Sequence, residues 1–107
     1  ELWEWFRSYL QDRTLSVKYA SCVSSSFPAT SGVPQGSLLG PFLFVLFIND
    51  IGEKLGVNYS LFADDVKLFK EVCSEEDLQL LQCSLRQLSQ WCEVNKMDIN
   101  PSKSKHI

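Results

Sequence analysis

The sequence predicts an α+β fold, a small antiparallel sheet with helices packed on one face, and three patterns carry that prediction. Apolar residues recur at helical spacing near the start (Leu2, Trp5, Phe6, Tyr9, Leu10) and again late in the chain (Leu78, Leu81, Leu85, Leu88, Cys92). Leu15, Val17 and Tyr19 alternate with Ser16 and Lys18, the period of a half-buried strand. Tyr59, Leu61 and Phe62 lead into Ala63-Asp64-Asp65, and Val66, Leu68 and Phe69 lead out, the pattern of a β-hairpin with acids at its tip. With 107 residues, 45% of them hydrophobic, the chain is one small domain or part of a larger one and can bury a core.

In chain order, the opening helix ends at the polar break Gln11-Asp12-Arg13-Thr14, and the strand over 15–19 follows. Residues 22–27 read as a turn and a return strand, and Pro28 marks the approach to a loop. That loop, Ser31-Gly32-Val33-Pro34-Gln35-Gly36-Ser37, carries two glycines and a proline. Ser37 can cap the apolar helix that runs on to about Asn49 or Asp50. Gly40 and Pro41 interrupt its apolar run, which is too short for a membrane span and predicts a buried core helix. Gly52 and Gly56 end that element and lead to the Asp-Asp hairpin. Ser74-Glu75-Glu76-Asp77 has the form of a capping box opening the last helix. Met97 and Ile99 alternate with Asp98 and Asn100, a short strand; a turn at Pro101-Ser102 then precedes the apparent start of another over 104–107. Trp3, Trp5 and Trp91 are expected in the core, Asp50 at a helix end and Lys67 on an exposed strand face. The abrupt start and finish predict an excerpt of a longer chain.

A formal charge of -3 is not that of a typical nucleic-acid binder, which is basic. The charge is also segregated: acids cluster over 64–77, whereas Lys96, Lys103, Lys105 and His106 make the C-terminal stretch basic. Four cysteines without a C-x-x-C pair, and one histidine, argue against structural zinc and fit reduced thiols in an intracellular protein.

Asp64 and Asp65 are the chemically pointed feature. Like charges about 4 Å apart repel by roughly 4 kcal/mol at an effective dielectric near 20. A tight turn that crowds two carboxylates favours a cation beside them, and oxygen-only ligands favour Mg²⁺ or Mn²⁺ over zinc. A phosphoryl-transfer metal site is the sharp expectation; solvated turn residues are the plainer one.

The 31–37 loop, Leu39-Gly40-Pro41, Ile48-Asn49-Asp50, Phe62-Ala63-Asp64-Asp65, and Asn100 followed by Lys103 together resemble a reverse transcriptase. Their wording is similar to the non-LTR retrotransposons of the animal LINE type, Jockey-like or CR1-like, and their order is matched over nearly the whole chain. The resemblance implies a partial reverse transcriptase domain over residues 1–107, most of a polymerase palm. It implies an RNA-directed DNA polymerase that extends a DNA primer on an RNA template with dNTPs, in the nucleus or cytoplasm and away from membranes. Asp64 would be a direct metal ligand and Asp65 a supporting carboxylate for Mg²⁺, with Mn²⁺ as the other candidate. Phe62 would stand beside the primer terminus, Gln35 and Gly36 would line the pocket of template base and incoming nucleotide, and Lys103 would lie near the active site, assisting phosphate chemistry or proton transfer.

The same resemblance calls for another metal-binding aspartate on a strand ahead of Leu2, and for fingers and thumb, none of which lies in these residues. The 107 residues by themselves are therefore expected to be inactive, and the missing basic parts would account for the acidic balance. Two other classes stay open on the sequence alone. One is a decayed or domesticated copy acting as a non-catalytic nucleic-acid-binding or assembly module. The other is an unrelated α+β domain whose acidic turn binds a cation.

Overall fold

The computed structural model describes residues 1–106, in two compact units, Glu1–Phe44 and a second that begins at Val45. In the first, α1 (Leu2–Leu10) forms where the apolar period predicts it. Its aromatics pack along the helix: the Trp5 ring stacks on Tyr9 with centroids 5.4 Å apart and meets Phe6 edge-on at 5.2 Å. No residue of α1 is buried, and Trp3, expected in a core, is 77% exposed. The strands of this unit are two residues long and offer no apolar face wide enough to cover indole rings.

Asp12, at φ +54, turns the chain into β1 (Thr14–Leu15). This strand pairs with β4 (Phe27–Pro28), and β2 (Lys18–Tyr19) pairs with β3 (Cys22–Val23), both antiparallel. The two ladders are parts of one interrupted hairpin. Between Leu15–Phe27 and Lys18–Val23 the return side holds one residue more than the outgoing side, a bulge. Ser24 fills it, accepting from Val17 N–H through Oγ and donating its own N–H to Val17 O, both at 2.9 Å. The strand and return strand expected over 15–27 are therefore present in broken form.

Ser37 caps α2 (Leu39–Ile48) as expected, its Oγ accepting from Gly40 N–H at 3.0 Å and donating to Pro34 O at 2.6 Å. A Cβ on Gly40 would sit 2.8 Å from Pro34 O, so only glycine allows this approach. The expected burial of this helix is not found. Phe42, Val45 and Leu46 are more than half exposed, and only Gly40 and Ile48 are buried. A helix apolar all round needs neighbours all round, and the described residues bury it fully only at those two positions.

The second unit has the denser packing. A 3-10 helix (Asn49–Lys54) continues from α2, followed by β5 (Asn58–Phe62), β6 (Asp65–Phe69) and α3 (Glu75–Val94). Ile48, Ile51, Leu88, Trp91 and Cys92 form its core. Asp50, expected at a helix end, accepts from Trp91 Nε1–H at 3.1 Å, and Phe47 lies 5.8 Å from the Trp91 ring. The Ser84 hydroxyl, fully buried, accepts from Gly56 N–H at 3.2 Å and donates to Leu80 O at 3.0 Å. These bonds dock α3 on the segment that delivers the chain to β5.

The α+β class stands, but the single sheet does not. The strands form three separate two-stranded antiparallel ladders, and α3 packs chiefly on the 3-10 helix rather than across a sheet face. The strand expected at Met97 and Ile99 is likewise absent, because α3 ends in a left-handed turn. Lys96 has φ +57, its N–H donates to Glu93 O, and Met97 N–H donates to Cys92 O. Residues 104–106 form no strand, and Ile107, the last of that expected segment, lies outside the described residues. All four cysteines are free, and no helix among the described residues is long and apolar enough to cross a membrane.

Candidate functional site

The predicted hairpin forms in full register, from Asn58 opposite Phe69 to Phe62 opposite Asp65. Its loop is Ala63-Asp64, one residue earlier than the acid pair: Asp64 occupies the tip and Asp65 opens β6. Ala63 takes φ +50, the left-handed region that a tight two-residue connection demands and that alanine enters at a cost.

Pleating sorts the hairpin into two faces. Tyr59, Leu61, Val66 and Leu68 make the apolar one, and Tyr59 lies so close over Gly52 that a Cβ there would overlap its ring and hydroxyl. The apolar face is thus turned to the 3-10 helix. The opposite face carries Phe62, Ser60 and Asn58 beside Asp65, Lys67 and Phe69, and is open. Phe62 is 82% exposed, both acids are exposed, and the Lys67 Nζ stands 5.9 Å from the Phe69 ring centre.

Two adjacent, solvent-facing carboxylates are a hard, oxygen-only donor set, which fits a Mg²⁺ or Mn²⁺ ion that keeps several waters. Among the described residues no group of three or more His, Cys, Asp or Glu side chains is arranged to hold a metal. Two adjacent carboxylates, without a third such side chain beside them among the described residues, are what this segment offers.

Lys103 stands exposed in the same unit, on a turn that Asn100 organises. The Asn100 Oδ1 accepts from Ser102 N–H and from the Ser102 hydroxyl, at 3.0 and 2.6 Å. Its carbonyl accepts from the N–H groups of Lys103 and Ser104, at 3.2 and 3.1 Å. The Asn-x-x-Lys spacing is in this way a structural device: the asparagine folds the turn that carries the lysine.

Gln35 and Gly36 belong to the first unit, exposed at the turn of the 31–37 loop, with Gly36 at φ +79. Ser37 ties down one end of that loop. Arg13, which sequence reasoning passed over as part of a polar break, ties down the other. Its Nε donates to Leu10 O at 3.0 Å, and its Nη2 donates to Ser31 O at 3.1 Å and Gly32 O at 2.6 Å. No local pattern could reveal the loop contacts, since those two acceptors are carbonyls 18 and 19 residues ahead. The hairpin thus gathers Phe62, Asp64 and Asp65, with Lys103 in the same unit, and Gln35 and Gly36 sit on a clamped loop of the other.

Comparison with known proteins agrees with the motifs. The sequence profile of the family described as "Reverse transcriptase (RNA-dependent DNA polymerase)" matches residues 1–107. The chain is 32% identical over 107 residues to the probable RNA-directed DNA polymerase from transposon X-element of Drosophila melanogaster, covering 94% of this chain and 12% of that protein. It is also 32% identical to the corresponding protein from transposon BS of the same organism, covering 92% of this chain and 12% of the relative. With the RNA-directed DNA polymerase from mobile element jockey of Drosophila funebris it shares 30% over 116 residues, 100% of this chain and 13% of the relative. The chain thus spans about an eighth of the length of these curated relatives. No solved structure matches it significantly. With the profile matched from end to end and transposon polymerases as relatives over nearly its whole length, the chain belongs to the reverse transcriptase family, as a segment of the LINE-type, jockey-like kind.

Proposed function

We propose that these residues are the palm segment of a mobile-element polymerase that copies RNA into DNA by extending a DNA primer with dNTPs, working inside the cell. The observation that carries this is the β5–β6 hairpin, which holds Asp64 at its tip and Asp65 beside Phe62 on an open face, in a chain of this family.

In the reaction, the primer 3′-oxygen bonds to the α-phosphorus of a dNTP. The bond from that phosphorus to the bridging oxygen breaks, pyrophosphate leaves, and the hydroxyl proton passes to solvent. Divalent cations, when bound, activate the attacking oxygen and neutralise charge on the leaving one. Asp64 and Asp65 are the residues that would hold them, and their positions on a rigid tight hairpin fix where the two carboxylates stand. Phe62, exposed on the same face as Asp65, offers a flat apolar surface to the nucleotide at the primer end. Gln35 offers both a donor and an acceptor to base edges, and Gly36 lets the backbone come close to the nucleotide. Lys103 supplies a mobile cation for phosphate oxygens.

The test uses the full-length polymerase that carries this segment, on an RNA template with a DNA primer. Asp64→Asn should lower single-nucleotide incorporation by at least about 10²-fold while primer–template binding persists. Incorporation at close to the unaltered rate would sink the assignment.

A further inference from the structure

We infer that Arg13 is a positioning residue for the nucleotide pocket: it clamps the entry of the 31–37 loop so that Gln35 and Gly36 are presented in one geometry. The inference rests on the proposed function above and goes beyond it, since Arg13 bears none of the recognisable motifs.

The physical case lies in how the loop is held. Seven residues rich in glycine and serine have many accessible conformations, and fixing each backbone position costs about 1–2 kcal/mol. At the far end the Ser37 hydroxyl grips Pro34 O and Gly40 N–H, and the bare Gly40 backbone closes against Pro34 O. At the near end a single guanidinium reaches three carbonyls, those of Leu10, Ser31 and Gly32. The Leu10 bond ties the loop to the last turn of α1, so the clamp is referred to a rigid helix. Gly32, at φ +72, borders open space, since a Cβ added there would meet nothing within 4 Å. Between the two grips only Gln35 and Gly36 are left exposed without such a tie, and they are the pair assigned to the pocket. A planar fork holds its separated donors in fixed directions, whereas an ammonium offers its three donors from one point on a flexible stem.

The test is a double-mutant cycle in the full-length polymerase, with active sites titrated and primer–template saturating. Arg13→Lys should raise the KM for dNTP between about tenfold and about a hundredfold, the scale set by small misplacements, with kcat nearly unchanged. Gln35→Ala should raise it too, and Arg13→Lys should add little more in the Gln35→Ala background, because a residue acting through Gln35 has nothing left to position. A KM within about threefold of the unaltered enzyme would overturn the inference. So would effects of the two changes that multiply, or a loss confined to the amount of active enzyme. Arg13→Gln provides the same readout if the lysine variant does not fold; failure of both to fold assigns Arg13 to the fold and overturns the positioning role. Asp64→Asn in the same assay keeps the two ideas apart. If that variant stays active the polymerase assignment fails, whereas an inactive Asp64→Asn beside an indifferent Arg13→Lys removes only the clamp.

Discussion

Ala63, like Ala20 at φ +52, is a residue at which local preference and the demand of a tight turn disagree. A left-handed φ costs an L-residue about 1–2 kcal/mol, and alanine has no side-chain amide or carboxylate to soften it. Glycine would remove that cost and lose part of the gain to its freer unfolded chain. In the full-length polymerase, Ala63→Gly should therefore raise hydrogen-exchange protection of the Ser60 and Lys67 amides, which face each other across the ladder, about fivefold, equivalent to ~1 kcal/mol. Unchanged protection would show that the turn stores no strain. Lys96, at φ +57 past the end of α3, is a further such site. A glycine there would suit the left-handed position that closes the helix.

At the scale of elements, α3 carries its own start signal. Asp77 accepts from the Cys73 and Ser74 N–H groups, both at 3.0 Å, and from the Ser74 hydroxyl at 2.9 Å, while Lys70 Nζ stands 3.0 Å from its other oxygen. The Lys70 hydrogen bond first, then the Cys73 N–H and the Ser74 hydroxyl, lower its pKa from 3.8 to about 2. Because the folded value is depressed, the stability Asp77 contributes is present above pH 3.8 and is lost as pH falls from there to about 2. A peptide of residues 69–98, long enough to nucleate a helix, should lose helicity by circular dichroism across that window. Asp77→Asn should flatten the curve, and Ser74→Ala should cost ~1 kcal/mol above that window and less below it, because the Ser74 hydroxyl also donates to the ionised Asp77 carboxylate. An acid titration unaffected by Asp77→Asn would remove this account. Signals of this kind are what the sequence displays: the Ser74 box, the Ser37 cap, the acid pair and the helical periods all lie within a few residues of their partners. Arg13 and Asp50 were not legible, because their acceptor and donor lie 18, 19 and 41 residues away. The burial of Trp3 and of α2 was misjudged for a related reason, since periodicity shows which face is apolar but not whether anything covers it.

For the whole molecule, that uncovered apolar surface and the short list of metal ligands lead to one prediction. Leu38, Phe42, Val45 and Leu46 on and before α2 are more than half exposed, as are Leu2, Trp3 and Trp5 on α1. Soluble monomers rarely leave so many large apolar side chains in water, and such surface drives association. The reaction proposed here also needs more than Asp64 and Asp65 provide: no third acidic or imidazole ligand joins them among the described residues, and the net charge of -3 gives little attraction for nucleic acid. Prepared by themselves, the 107 residues should sediment above monomer mass and bind an apolar dye. They should also give no template-primed dNTP incorporation with Mg²⁺ or Mn²⁺. The same residues within the full-length polymerase should support incorporation that Asp64→Asn abolishes. A monomeric, active preparation of the segment alone would mean that two carboxylates on one hairpin suffice for the chemistry, and that the exposed faces of α1 and α2 need no partner.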